Sequence, residues 1–188
     1  MNAALRLSWY KFKHHYMDFV KVLLGIVAFE GLILYIQDKG FLKDFETTRM
    51  TLFLLLFSTS LLIVVQNSIY ISKERSVLNR DFFSGLSRSA FALASMGIHA
   101  FFAVLETIVF ILSYSVFSKF FDKEFPDAGH IFGSYRWEVG ITVLLVFLAS
   151  HFIALFISAL VGKSEITSVI LAVIVGLSLI HILRCRRT

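Results

Sequence analysis

The sequence predicts an all-α protein, a polytopic bundle of transmembrane helices. Apolar residues make up 57% of its 188 residues, and the mean hydropathy is +0.79. Charged residues make up 16%, whereas about a quarter is usual for a soluble domain. The chain also holds 21 Phe and a single Pro, which suits long apolar helices. A soluble protein of this size could not bury so much apolar surface, so we expect an integral membrane protein.

Composition and motifs also argue against several other classes. A single Cys allows no internal disulfide and provides no metal-site spacing. The net charge of +5 fits loops that face anionic lipid better than it fits nucleic-acid binding. The sequence has no G-x-x-x-x-G-K-[ST] loop, so we expect no ATP site of the usual kind in this chain.

Residues 1–19 are predicted to form an amphipathic helix at the cytoplasmic face of the membrane. They mix basic with aromatic side chains, a combination typical of the headgroup layer. They contain no apolar core or cleavage site of a signal peptide. The adjacent His14 and His15 would point about 100° apart on a helix, which argues against shared metal ligation.

Five membrane spans follow within residues 20–177 and the segment after them. Their predicted bounds are about 20–36, 50–70, 89–117, 139–161 and 166–182. The third exceeds the thickness of the hydrocarbon layer and should tilt or protrude. The fourth and fifth carry rows of small residues suited to close helix packing: Ser150, Ala154 and Ser158, then Ser168, Ala172 and Gly176.

Several spans contain polar side chains that could line an intramembrane substrate path. Glu30 lies near mid-span, where a charge costs at least about 2.5 kcal/mol, so it should be protonated, paired or facing water. His99 and Glu106 are seven residues apart and share a helix face directed into the bundle or towards a substrate. His151 stands alone in its span, where a packing role is favoured.

Gln66 and Asn67 add polar groups to the second half of the second span. We expect hydrogen bonds from this region to other helices. The loop at 118–138 contains a set of possible cation ligands, although a solvated loop is the favoured interpretation: Asp122, Glu124, Asp127 and His130.

The charged segment 71–88 separates the second and third spans. As a helix it would place Leu78, Phe82 and Leu86 on one apolar stripe, with Lys73 and Arg80 on another face. Gly85 is a predicted break between this helix and the next span. A solvated loop is the alternative, and residue spacing alone leaves both open.

The distribution of Lys and Arg among the loops modestly favours a cytoplasmic N-terminus. The last residues, 178–188, break this pattern, because an odd number of spans would place three Arg outside. Their sequence, SLIHILRCRRT, looks like translated adapter sequence. We therefore expect native sequence to end near Leu177 and the natural protein to continue.

The segment KERSVLNRDFFSGLSRSAFALA resembles the region after the second transmembrane helix of type-2 ABC exporters, above all the G subfamily and its bacterial relatives. The family pattern is similar to E-(R/K)-x-x-(Y/F)-x-R-E-x-x-x-G-x-S. The matching residues are Glu74, Arg75, Arg80, Asp81, Gly85 and Ser87, with Asp81 replacing the usual Glu. SALVGKSEITSVILAV looks like the family's junction between the fourth and fifth helices.

This resemblance implies a permease domain that is not an enzyme and carries no cofactor. ATP and Mg would be bound by a nucleotide-binding domain, fused upstream or separate, which would contact a coupling site made of Glu74, Arg75, Arg80, Asp81 and Gly85. A second membrane domain would complete a homodimer in the lipid bilayer, expected to be the bacterial inner membrane, and a sixth helix would follow. The substrate would be a lipid, a glycan or a hydrophobic compound.

Two alternatives come from other functional classes. One is a membrane-embedded enzyme that uses Glu30, His99, Glu106 or His151, although no recognisable catalytic motif supports it. The other is a non-transporting membrane scaffold or sensor partner.

Overall fold

The computed structural model describes residues 16–37, 45–122, 133–161 and 164–185, with Glu74 and residues 179–185 described by their backbone alone. All regular secondary structure in these residues is α-helical, which confirms the predicted class. The helices are α1 (Tyr16–Ile36), α2 (Phe45–Asn67), α3 (Tyr70–Phe83), α4 (Arg88–Phe120), α5 (Tyr135–Leu160) and α6 (Glu165–Cys185).

Four helices, α1, α2, α4 and α5, are long and apolar enough to cross a membrane. Each begins or ends a few residues outside its predicted span, because polar residues at a helix end do not stop the helix. In α2 the first turn includes Glu46 and Arg49, whose side chains form an ion pair at 2.7 Å. Helix α2 therefore begins five residues before its predicted span.

The fifth predicted span corresponds to α6, whose described apolar part is Glu165–Ser178. This part is shorter than the other four helices, so the count of five spans stays a prediction. Most of the predicted interfacial helix at 1–19 lies outside the described residues. The predicted loop at 118–138 lies largely outside them as well, although α4 reaches Phe120 and α5 begins at Tyr135.

The chain divides into two compact units. The first, which we call the α1 unit, contains Met17–Leu62 and Phe101–Leu148. Within it Gly25 allows α1 to approach α2, because a β-carbon there would lie 2.6 Å from Leu62 Cδ2. The rings of Phe110 and Phe147 meet edge to face with their centroids 5.7 Å apart and join α4 to α5.

The second, the α3 unit, contains Ile63–Ala100 and the described residues from Ala149 onward. Its apolar core brings together Val64 of α2, Ala154, Ile157 and Val161 at the end of α5, and Ala172 of α6. The predicted small-residue rows take part in this packing. Ala154, Ser158, Ser168 and Ala172 are all completely buried, which permits close approach of α5 and α6.

Candidate functional site

The charged segment between the second and third spans forms a helix over most of its length. Helix α3 covers Tyr70–Phe83, so the solvated-loop alternative is wrong for these residues. Leu78 is buried and Phe82 is half-buried, as the predicted apolar stripe requires. Leu86 lies beyond the end of the helix, so the part of the stripe predicted there is wrong.

Gly85 explains why the helix stops before Leu86. Its φ angle is +101°, in the left-handed region that glycine adopts with little strain. The Leu86 N–H donates to the Asp81 carbonyl at 3.1 Å, and the Gly85 N–H donates to the Phe82 carbonyl at 3.2 Å. This pair of bonds is a Schellman motif, and it confirms the break predicted at Gly85.

The first turn of α3 is capped by a residue of another helix. Its N-cap position is occupied by Ile69, whose side chain makes no capping hydrogen bond. Ser158 Oγ of α5 instead accepts hydrogen bonds from the Ile71 N–H at 2.8 Å and the Ser72 N–H at 3.2 Å. These N–H groups belong to the set that a helix leaves without partners at its N-terminus.

Two further contacts join this end of α3 to α5 and α6. The Arg75 guanidinium donates to the Val161 carbonyl just after α5. Ser168 Oγ of α6 lies 3.3 Å from Ser72 Oγ and donates to it. We call Ser72, Arg75, Ser158, Val161 and Ser168 the α3 anchor. The sequence singled out Ser158 and Ser168 as small packing residues but gave no sign of these bonds, because they connect residues more than 80 positions apart.

The predicted coupling residues occupy different environments on α3. Arg75 is engaged in the α3 anchor, and its contact with a partner domain stays a prediction. The Arg80 side chain is 78% exposed and that of Asp81 is 24% exposed, with Arg80 Nε 4.0 Å from Asp81 Oδ1. The Glu74 side chain lies outside the described residues.

Sequence reasoning overlooked Phe83, which is 94% exposed at the last position of α3. The signal was available, because successive side chains on a helix point about 100° apart. A phenylalanine directly after Phe82 therefore cannot share its buried stripe. An aromatic ring exposed on a polar helix is a candidate contact for another protein chain.

The six intramembrane polar residues are distributed over both units. Glu30 and Glu106 belong to the α1 unit and are completely buried. The Ser113 hydroxyl donates to one Glu30 carboxylate oxygen, and the choice among a protonated, a paired and a water-facing Glu30 stays a prediction. Gln66 is half-buried in the α3 unit, as is Asn67. Asn67 donates to the Ile63 carbonyl of its own helix at 2.9 Å rather than to another helix, because that carbonyl lies one turn away.

His151 is not the lone imidazole that was predicted. Its Nδ1 lies 3.0 Å from Nδ1 of His99, and both side chains are buried in the α3 unit. The Tyr70 ring meets the His99 ring edge to face, with centroids 4.9 Å apart. The pairing was missed because it joins α4 to α5, and spacing within one helix carries no information about it. No group of three or more potential metal ligands occurs among the described side chains.

Comparison with protein families gives one match over almost the whole chain. The model of the ABC-2 type transporter family matches residues 6–180. Searches of curated proteins and of solved structures give no significant match. Membrane domains of this family are transport components that work with ABC ATPase partners. The long apolar helices agree with such a multi-pass membrane domain. We conclude that the chain belongs to the ABC-2 type transporter family, as a membrane-spanning permease domain.

Proposed function

We propose that this permease domain exports a lipid, a glycan or a hydrophobic compound, driven by ATP hydrolysis in a nucleotide-binding domain that holds ATP and Mg. Helix α3 is the element that docks on that domain. The observation that carries the proposal is the combination of an exposed polar surface on α3 with the α3 anchor at its first turn. A short helix with both features can pass a displacement from a soluble partner to membrane helices.

The docking surface is assigned to the second half of α3. Arg80 and Asp81 provide charges that can steer and orient a partner, and the exposed Phe83 ring provides apolar area. Glu74 falls seven residues before Asp81 and so shares a helix face with it. The resemblance to the G subfamily and its bacterial relatives supports three of these residues, Glu74, Arg80 and Asp81, whereas Phe83 rests on its exposure alone.

The α3 anchor connects a displacement of α3 to the helices α5 and α6. Ser158 lies in the last turn of α5, Val161 follows directly after α5, and Ser168 lies in the first turn of α6. When a partner shifts α3, these contacts require α5 and α6 to move with it or to break. Packed helices shift between discrete arrangements rather than deforming continuously, so such a shift can switch a transport path.

The resemblance and the distribution of Lys and Arg support the rest of the proposed assembly. The N-terminus and α3 face the cytoplasm, and two copies of the membrane domain form a homodimer in a bacterial inner membrane. The nucleotide-binding domain is either fused upstream or separate.

Charge reversal at Asp81 tests the proposal in the full-length transporter. We expect Asp81→Lys to leave folding intact, since the side chain is partly exposed and a cation is favourable near the C-terminal end of a helix, and to uncouple ATP hydrolysis from transport. Glu46→Lys is the control, because it reverses the charge of an exposed residue on the predicted outer side. ATPase activity and transport of a fluorescent phospholipid are measured in proteoliposomes. Unchanged ATPase activity and transport in Asp81→Lys would argue against coupling through α3, whereas no ATP-dependent transport by the wild type would favour a non-transporting scaffold.

A further inference from the structure

A cavity of about 580 Å³ lies within the α3 unit, bounded by α3, the first two turns of α4 and the end of α5. Its wall is largely apolar and includes Leu78, Phe82, Phe91, Met96, Phe152 and Phe156. The volume falls within the range of about 300 to 1,000 Å³ typical of ligand sites. Long, flexible apolar molecules suit such a wall because aromatic and Met side chains adapt to their shape.

The wall of the same cavity also contains two cationic side chains and a buried hydroxyl that makes no hydrogen bond within the described residues. Arg75 and Arg88 contribute to its wall, and none of its described lining residues is acidic. The Arg88 guanidinium lies 5.7 Å from the centre of the Phe82 ring, at the first position of α4. Ser95, one further lining residue, is 2% exposed, and its Oγ makes no hydrogen bond within the described part of the chain. A buried hydroxyl without a partner is costly, so a ligand that supplies one is favoured.

This combination of an apolar wall and positive charge selects an amphipathic anion. We propose that the cavity binds an anionic glycerophospholipid, with an acyl chain against Phe91, Phe152 and Phe156 and the phosphate at Arg88. The amino end of α4 adds its positive dipole to the charge of Arg88 at this position. Basic pockets between transmembrane helices are known to hold anionic lipid headgroups.

Charge complementarity favours a lipid over other occupants. The first 15 residues of this chain contain Arg6, Lys11 and Lys13 but no carboxylate, so they would not complement two arginines. Inorganic phosphate would leave the apolar wall unused. Placement of the lipid in the cytoplasmic leaflet rests on the proposed function, whereas the binding chemistry does not.

Native mass spectrometry of the full-length transporter in detergent tests the site with phosphatidylglycerol and phosphatidylcholine of identical acyl chains. We expect the wild type to retain phosphatidylglycerol in preference to phosphatidylcholine. Arg88→Gln should weaken phosphatidylglycerol binding about fivefold, since one cation near an anionic lipid contributes about 1 kcal/mol. The matched control is Arg80→Gln, which removes the same charge from an exposed side chain outside the cavity wall and should bind as the wild type does.

A second variant tests the apolar wall of the cavity without changing the charge of the protein. Ala92 lines the cavity, and Ala92→Phe should lower retention of phosphatidylglycerol while Arg88 is still present. Equal binding of the two lipids by the wild type would overturn the proposal. Equal effects of Arg88→Gln and Arg80→Gln, or displacement of the lipid by excess inorganic phosphate, would overturn it as well.

The measurement in detergent has no membrane sidedness, so its result is independent of the proposed orientation. Labelling of Arg80→Cys, with Cys185 replaced by Ser, in intact cells with a membrane-impermeant thiol reagent decides orientation separately. Lipid selectivity combined with outside labelling would retain the binding site and refute cytoplasmic coupling. Protection of this cysteine in intact cells, with labelling only after the cells are opened, combined with equal binding of the two lipids, would refute the binding site and retain cytoplasmic coupling.

Discussion

Replacement of Ser158 by alanine is the sharpest perturbation of the α3 anchor. The change removes one oxygen atom from α5 and leaves the small residue that close packing with α6 requires. The Ile71 and Ser72 N–H groups then lose their common acceptor. Ile69 offers no replacement, because its side chain cannot accept a hydrogen bond.

The free-energy cost of Ser158→Ala can be estimated from the loss of these two hydrogen bonds. Loss of an N-cap acceptor costs about 1 kcal/mol, and a buried donor left without a partner costs about 1 to 3 kcal/mol. Ser72 is buried. Ile71 is half-buried, so its N–H can reach water more easily. We therefore expect the first turn of α3 to become about 2 kcal/mol easier to open. This corresponds to amide exchange roughly 30-fold faster.

Hydrogen–deuterium exchange on the full-length transporter measures this opening directly. We expect faster exchange in peptides that cover the start of α3, together with less transport per ATP hydrolysed. Ser115→Ala is the matched control, because the Ser115 hydroxyl donates to the Ile111 carbonyl of its own helix in the other unit. Identical exchange of the α3 peptides in wild type and Ser158→Ala would refute the capping role.

Substitutions at Gly85, Glu30 and Phe83, each with a control variant, provide three further tests. Gly85→Ala should destabilise the turn after α3 by about 1 to 2 kcal/mol in thermal unfolding, whereas Gly97→Ala, with open space and no positive φ, should not destabilise the protein. Glu30→Gln should retain the melting temperature because it keeps an acceptor for its serine partner, while Glu30→Ala should lower it. Phe83→Ala should weaken ATPase-domain binding without affecting folding, and Phe120→Ala, similarly exposed in the α1 unit, should not. Equal binding by the two phenylalanine variants would exclude Phe83 from the docking surface.

Local patterns in the sequence predicted much of the fold. Apolar runs identify the membrane helices, because a helix in lipid must satisfy its own backbone groups and cover them with apolar side chains. The position of Gly85 identified the end of α3, since few other residues adopt its backbone conformation. The Leu78–Phe82 spacing correctly indicated the inward face of that helix.

Contacts between distant helices could not be predicted in this way. The His99–His151 pair joins residues 52 positions apart, and the cap from Ser158 to α3 spans 87. Each partner alone is compatible with simple packing. Which partners meet depends on the relative rotation and depth of two helices, and one helix's periodicity does not fix these quantities.

The position of the anchor at one end of α3 has a mechanical consequence. Hydrogen bonds hold the first two turns to α5 and α6, and the last turn ends in the Schellman motif at Gly85. Between these points Leu78 is buried and the centre of the Phe82 ring lies 5.9 Å from that of the Phe91 ring of α4, while the same face of α3 borders the cavity. Because the anchor fixes the first two turns, a tilt of α3 would displace its C-terminal end most, on the side where the cavity lies. Force applied near Arg80 or Phe83 would therefore act far from the anchor and reach α5 mainly through Ser158 and Arg75.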